Sequence, residues 1–413
     1  MTDSSRKSLR IGEIYTVEIE KAAHGGHFIA RHEGAVIFIR HAIPGEIVEV
    51  EITEIEKSFF RAEVRAVIEA SPHRVQAPCR YAHPGGCGGC DFQHIDYDHQ
   101  REIKSAVIAE QFARIAKMEI DVEVEEVSAP LHWRSRFAAT ANGQCELGFK
   151  GTRSHSVIQI SKCPVLIHEI DFDTIGREKI SPNSRIEVAL STQGERTISL
   201  APIRNNRLEK NPPVQIIEGT SALRYEVRTT SETLKFQVSQ GSFWQSNINA
   251  PATLVNAVKE FAQVREGDHI IDLYGGVGLF AKALISGIGT TGWIDLVEAS
   301  TTATRDAQQN FRDYRNVNIH RGDVARVISQ FESADVVLLD PPRTGAGEAV
   351  LTAIADMAPR SIIYIACDPA ALARDTGYLR KDGYHLQSIR AFDLFPMTHH
   401  IESIALYTAD KVS

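Results

Sequence analysis

The spacing of apolar and polar residues changes character several times along this chain. Val48, Val50 and Ile52 alternate with Glu49 and Glu51, the two-residue period of a strand with one wet face. Ala35–Ile39 is a short apolar run between Gly34 and the turn signal Pro44-Gly45, and Gly25-Gly26 marks another turn. Several short strands between about Ile11 and Ile68 predict a small closed barrel, because closure removes exposed edges. From about Pro72 to Pro84 the composition shifts to Pro, His and Cys, which reads as a boundary. Between Asp98 and Met118 the period becomes helical, with Ile103, Val107, Ile108, Phe112 and Ile115 on one face. The stretch from about Trp133 to Glu232 is strand-rich and irregular. From about Ala250 onward strands alternate with helices. His269–Leu273, Trp293–Val297, Asp335–Leu339 and Ser361–Ala366 are buried-type strands, and Ser300 or Thr301 caps the helix after the second. That alternation predicts an open, mostly parallel sheet with helices on both faces. No internal repeat or low-complexity tract interrupts it.

Bulk composition narrows the classes. The 413 residues are 43% hydrophobic and 24% charged, enough for two or three domains with real cores. The start, Met1 to Arg10, is polar and lacks the apolar core of an export signal, and no apolar run has membrane-span length. A cytoplasmic protein with reduced thiols is expected, without a membrane partner and as a monomer. The net charge of −8 counts against a simple nucleic-acid binder and requires any basic groove to be local.

Four constellations carry chemistry. Asp272-Leu273-Tyr274-Gly275-Gly276-Val277-Gly278 ends a strand and opens a helix, where glycines let the backbone approach a ligand. Glu298 ends the next strand, placed for ribose hydroxyls, and Asp323 and Asp340 follow near the ends of the next two. A lone glycine loop is usually only a turn; the strand-end register of the acids makes a nucleoside cofactor the better reading. Nothing here resembles a Walker loop, so S-adenosylmethionine fits better than a nucleoside triphosphate. Cys367, in Ile365-Ala366-Cys367-Asp368-Pro369, ends the fourth strand and would point into the same crevice. An isolated cysteine is more often a core residue; this position favours a nucleophile. Phe395-Pro396-Met397-Thr398-His399-His400-Ile401-Glu402 is a loop ending in a carboxylate, which alone would read as a solvated Glu. Cys79, Cys87 and Cys90 cluster, and Cys163 lies further on. Four thiolates can hold zinc or a [4Fe–4S] cluster, with Cys145 competing with Cys163 as fourth ligand.

Together these residues resemble the bacterial RNA uracil-5-methyltransferases, over nearly the whole chain. The resemblance implies a multidomain α/β protein: an OB-like TRAM β-barrel over residues 1–70, a central mixed iron–sulphur domain over 71–238, and a Rossmann-like methyltransferase domain over 239–413. A helix at about 99–118 would pack on the catalytic domain. Cys79, Cys87, Cys90 and Cys163 match the family's cluster cysteines, implying [4Fe–4S] over zinc. Phe243-Trp244-Gln245-Ser246-Asn247 is similar to a cofactor-contacting segment, so Gln245, Tyr274, Gly276, Gly278, Glu298, Asp323 and Asp340 would hold S-adenosylmethionine. Asp340-Pro341-Pro342-Arg343 matches a family motif. Cys367 matches the nucleophile and Glu402 the base. The seven residues between Cys79 and Cys87 exceed the spacing of many members, and Asp368 stands where Asn often follows the cysteine.

The implied reaction needs these groups. C5 of uracil is a poor nucleophile until a thiolate adds to C6, and the C5 proton must then be removed. An RNA partner, 23S ribosomal RNA favoured over transfer RNA by the barrel and the cluster, would flip the uridine out at a cost of roughly a few kcal/mol. The barrel and the stretch His132-Trp133-Arg134-Ser135-Arg136-Phe137 are the candidates for the compensating contacts. Three other classes fit less well. A radical S-adenosylmethionine enzyme leaves an open iron site, a noncatalytic RNA-binding or assembly factor has no use for Cys367 and Glu402, and a cytosine-C5 enzyme normally carries its cysteine in a different motif.

Overall fold

A computed structural model describes residues 9–152, 154, 156–170, 172, 175, 180–204, 207–208 and 213–409. Residues 1–8 of the polar start and 410–413 of the expected C-terminal domain lie outside the described residues. Among the described residues no helix is long and apolar enough to cross a membrane.

The alternating N-terminal segment forms β1 (Ile14–Ala23), β2 (His27–His32), β3 (Ala35–Arg40), β4 (Ile47–Ile55) and β5 (Phe60–Glu69), closed in the order β1-β2-β3-β5-β4. β3 and β5 run parallel and the other pairs antiparallel. Val48, Val50 and Ile52 are wholly buried, as their two-residue period requires. The barrel is not self-contained. Phe92, Ile95 and Ile103 join its core from the following segment.

That segment leads into α1 (Tyr97–Gln111), capped by Asp96, whose carboxylate accepts from the His99 amide at 3.1 Å. The helix serves two cores: Ile103 packs into the barrel, while Val107 and Ile108 pack with Leu372 and Leu379 of the C-terminal layer. β6 (Val124–Glu126) then joins the edge of the C-terminal sheet.

The central region is an antiparallel sheet of β7 (Arg136–Ala141), β8 (Leu147–Lys150), β9 (Val157–Gln159), β10 (Ser184–Leu190), β11 (Arg196–Arg204), β12 (Arg207–Leu208) and β13 (Gln215–Gly219). The hairpin of β14 (Ala222–Arg228) and β15 (Thr233–Ser239) follows. All but its last residue, Ser239, lies on the central side of the expected 238/239 division. Yet its Tyr225, Phe236 and Val238 share one core with α2 (Ala250–Ala262) and the C-terminal sheet.

The C-terminal region contains β16 (His269–Leu273), α3 (Leu279–Leu284), β17 (Trp293–Glu298), α4 (Thr301–Asn310), β18 (Val317–Arg321), α5 (Val324–Val327), β19 (Val336–Leu339), α6 (Glu348–Asp356), β20 (Ser361–Ala366), α7 (Pro369–Lys381), β21 (Tyr384–Asp393) and β22 (Glu402–Ala409). The sheet order is β18-β17-β16-β19-β20-β22-β21-β6. The first five strands are parallel; β22 runs antiparallel to them, and β21, antiparallel to β22, returns to their direction. From β16 the chain builds outward to β17 and β18, then crosses back to β19. The crevice at the carboxyl ends of β16 and β19 is thus the switch point where such sheets bind ligands.

Candidate active site

The loop after β16 requires its glycines. A Cβ on Gly275 would sit 2.7 Å from the Leu296 side chain, and one on Gly278 2.2 Å from Phe311. Gly276 instead faces open space, with nothing within 4 Å. Its N–H donates to Glu298 at 3.0 Å, and the Ser300 N–H holds the other Glu298 oxygen at 2.6 Å. Glu298 is thereby fixed at the end of β17, as its register predicts. Ser300, rather than Thr301, caps α4. Asp323 caps α5 and is exposed at the edge of the crevice. Tyr274 takes a left-handed backbone, φ 59°, in the glycine loop. Gln245 is buried between β15 and α2, and nearby Asn247 donates to the Leu394 carbonyl at 3.0 Å.

At the foot of the crevice the carboxylates are crowded. Asp272 is fully buried; one oxygen accepts from the Ala281 N–H at 3.1 Å and the other has no partner. Burial pushes it up to about 8 against the Ala281 hydrogen bond, and negative Asp340 and Glu298 add to the rise. Burial also raises Asp340 and Glu402, with Asp340 adding to Glu402 and Arg343 opposing. Burial pushes the Cys367 thiol up to about 11; Glu402 and Asp340 add to this and Arg343 works against it. The structure therefore gathers Cys367, Glu402 and Asp340 around one Arg343. The sequence placed Arg343 in a motif without a role.

The mouth of this site is assembled from distant segments. Cys367, Arg343, His399 and His400 line one cavity with His24, Gly25 and Gly26 from the β1–β2 turn of the barrel. His24 Nε2 lies 3.1 Å from Asp368, whose other oxygen accepts from the Ala370 and Ala371 amides at the start of α7. Burial works against the charge on Asp368, but His24 and these amides outweigh it and hold the carboxyl below its usual range. Asp368 is thus both a helix cap and a barrel contact. His24 was missed in the sequence: only the Gly25-Gly26 turn beside it left a mark.

A second thiol site lies apart from the first. Cys79, Cys87, Cys90 and Cys163 line one largely apolar pocket with Arg134, Phe149 and Val165. Burial raises Cys87, Cys90 and Cys163, the last to about 11. Among the described residues Arg134 has no carboxylate partner; its neighbouring charges are these cysteines. Cys145 is elsewhere, its thiol toward the Ile180 carbonyl at 3.6 Å. Among the described residues no three His, Cys, Asp or Glu side chains stand where a single metal ion would be held. The basic, aromatic stretch is corrected here. Trp133 and Phe137 are core residues and Arg134 faces the cysteines, so they offer RNA no stacking surface. Alternation had exposed this less clearly than burial does, because Trp133 and Arg134 sit in a bridge segment rather than a regular strand.

Comparison with known proteins agrees with this architecture. Residues 9–64 match the TRAM domain family, and residues 209–409 match the tRNA (uracil-5-)-methyltransferase family. An uncharacterized RNA methyltransferase of Streptomyces avermitilis is 38% identical over 96% of this chain and 98% of its own. The 23S rRNA (uracil(1939)-C(5))-methyltransferase RlmD of Shewanella piezotolerans is 30% identical over 98% of both chains. The crystal structure of Pyrococcus abyssi tRNA (uracil-54, C5)-methyltransferase in complex with S-adenosyl-L-homocysteine superposes with a TM-score of 0.73. It covers 95% of this chain and 100% of that one at 22% identity, a likeness of fold. The chain belongs to the RNA (uracil-5-)-methyltransferase family.

Proposed function

We propose that this member of the RNA (uracil-5-)-methyltransferase family forms 5-methyluridine in RNA, with 23S rRNA as substrate, through a covalent adduct on Cys367. The observation that carries the reading is the meeting of Cys367 and Glu402 beside the glycine-loop crevice. The 30% identity to the 23S rRNA enzyme over 98% of both chains favours ribosomal over transfer RNA.

The crevice fits S-adenosylmethionine. That molecule carries two positive centres, and the crevice offers Asp272 with an unpartnered buried oxygen, together with Asp340. Gly276 leaves open space beside Glu298, which would take the ribose hydroxyls, and Asp323 at the rim would take the base. Gln245 and Tyr274 would complete the site. When bound, S-adenosylmethionine supplies an electrophilic methyl whose bonding pair leaves with sulphur.

The protein's own groups do the rest. The Cys367 thiolate adds to C6, forming an S–C6 bond, and the C5–C6 π pair moves to the O4 enolate, which makes C5 nucleophilic. After methylation Glu402 takes the C5 proton. The C5–H pair restores the C5–C6 double bond, and the C6–S pair returns to Cys367. Arg343, the cation facing Cys367, favours the thiolate that burial disfavours. A neutral His400, pushed down to about 3 by burial and by the nearby His399 and Arg343, lines the same mouth without adding charge.

The four-cysteine pocket fits a [4Fe–4S] cluster better than zinc. One tetrahedral ion draws four sulphurs to within about 4 Å of one another, given Zn–S bonds near 2.3 Å, and no such closed set is present among the described residues. A cluster spans a wider pocket, and its negative charge would answer buried Arg134. Cys79, Cys87, Cys90 and Cys163 would hold it; when bound it supplies a rigid, charged brace. The transfer site uses a separate crevice, which disfavours a radical mechanism at the cysteines.

The test is mass mapping of 5-methyluridine in 23S and transfer RNA from cells with and without the gene. Loss of one 23S site is expected. Loss confined to transfer RNA would move the substrate, and no loss in either would overturn the reading.

A further inference from the structure

Asp91 follows Cys90 directly, yet its carboxylate is spent on the far end of the chain. One oxygen accepts from the His399 N–H at 2.9 Å and the other meets His399 Nδ1 at 2.6 Å. Arg40 of the barrel lies 3.4 Å from that second oxygen. A Cβ on Gly26 would come within 2.3 Å of the same carboxylate, so the barrel turn closes tightly over this contact. The next residue continues the grip: the Phe92 N–H donates to the Met397 carbonyl at 3.0 Å. Gln100 completes it, accepting from the Met397 N–H at 2.9 Å and donating to the Phe92 and Ile95 carbonyls. Lys104 holds Asp393 at 2.7 Å, and Trp133 meets Phe395 edge-on beside Cys90 and Cys163. The loop from Leu394 to Ile401 leads straight into Glu402 and places His399 and His400 at the mouth of the Cys367 cavity. Met397 keeps a left-handed backbone, φ 68°, within this grip. Such a conformation persists where the surroundings over-determine it.

We infer that Asp91 is a positioning residue. Through His399 it fixes the loop that carries Glu402 against the Cys367 cavity, and so ties removal of the C5 proton to the order of the four-cysteine segment. The inference rests on the reading of Glu402 as the base. It gives the cysteine site a place in the reaction without any electron transfer. A carboxylate hydrogen-bonded to a neighbouring backbone and side chain is a strong local tie, and misplacing a base by about 1 Å can cost on the order of 100-fold in rate.

The experiment uses the full chain, purified without oxygen, with a 23S rRNA transcript and S-adenosylmethionine. The variants are Asp91→Ala, Asp91→Asn and, as reference, Glu402→Gln. The readouts are denaturant-stable protein–RNA adduct, kcat and KM for RNA, and S-adenosylhomocysteine affinity by calorimetry. Asp91→Ala is expected to lower kcat at least tenfold, hold several times more adduct than wild type, and leave KM and S-adenosylhomocysteine affinity within about twofold. Asp91→Asn, which keeps one acceptor for the His399 amide, should recover part of kcat. Should Asp91→Ala fail to fold, Asp91→Asn and His399→Ala carry the same comparison. If Glu402→Gln accumulates adduct and the Asp91 variants do not, the positioning role is overturned while the base assignment stands. If Glu402→Gln accumulates none, the base assignment falls, and the inference with it.

Discussion

The pocket of Cys367 and the pocket of the four clustered cysteines are both lined by half-buried thiols, and they are built in opposite ways. Cys367 stands at the end of β20 in a cavity of mixed polar and apolar walls, drawn from the barrel turn, α1, Arg343 and the His399–His400 loop. Cys79, Cys87, Cys90 and Cys163 face a largely apolar pocket whose lining includes two cations, Arg134 and Lys162. Burial raises the thiol in the first and three of the four in the second. Burial alone therefore does not tell a nucleophile from a ligand. What separates them is the company: carboxylates able to move protons beside Cys367, and other sulphurs, the Gln93 amide and the Arg134 guanidinium around the four. The first pocket suits a thiolate that forms and vanishes each turnover, the second a permanent anion.

The sharpest break of this contrast is removal of each kind of thiol. Cys367→Ala should lower methyl transfer by about 10⁴-fold or more, in the range seen when a covalent nucleophile is removed, while S-adenosylhomocysteine still binds in calorimetry. If the four cysteines hold the proposed cluster, Cys87→Ala should lower transfer by about 10- to 100-fold, as loss of a supporting group around a metal centre does, together with the cluster's iron absorbance and the melting temperature. Equal loss of melting temperature in both variants would erase the distinction.

The pH dependence sharpens it next. With Cys367 near 11, only about one thiol in ten thousand is ionised at pH 7. Adduct formation, measured in a single turnover, should therefore rise about tenfold per pH unit from 7 to 9. Negative charge on Asp340 or Glu402 works against the thiolate, while an ionised Glu402 acts only later, when the C5 proton leaves. A flat profile would mean that bound RNA, not pH, sets the thiolate.

Asp272 gives a smaller effect. In the fold it holds its proton up to about 8, whereas the unfolded chain releases it near 3.8. The folded state thus binds more protons between these values, and stability falls as pH rises from about 4 to 8. Asp272→Asn should flatten that fall and raise stability at pH 9 by on the order of a few kcal/mol, read by urea unfolding. S-adenosylmethionine affinity should drop at least tenfold in the same variant. Smaller still is His24→Ala, which removes a half-exposed ion pair worth roughly 1 kcal/mol or less. It should change stability little and raise the KM for RNA a few-fold.

The legible parts of the sequence were those with a strong period. The strands His269–Leu273 and Ser361–Ala366 stand with the bounds the apolar runs gave, and the alternation around Val50 placed the barrel core correctly. The crevice acids were legible too, because strand ends set their register. What stayed hidden came from contacts between distant segments. Nothing local marks His24 or Asp91 as neighbours of Asp368 and His399. Trp133 and Arg134 misled because an aromatic and two arginines read as a surface, while the fold turns them toward the core and the cysteines. The hairpin β14–β15 was not legible as such: the strand-rich reading stopped at Glu232, before β15, and packing against α2 decides where the hairpin belongs.

The decisive measurement is nucleoside mass analysis of 23S rRNA transcript treated with the protein and methyl-labelled S-adenosylmethionine, run beside Cys367→Ala. Label should appear in 5-methyluridine with the wild type and be absent with the variant. Label in another nucleoside, or in 5-methyluridine at the same rate without Cys367, would contradict the assignment of this thiol.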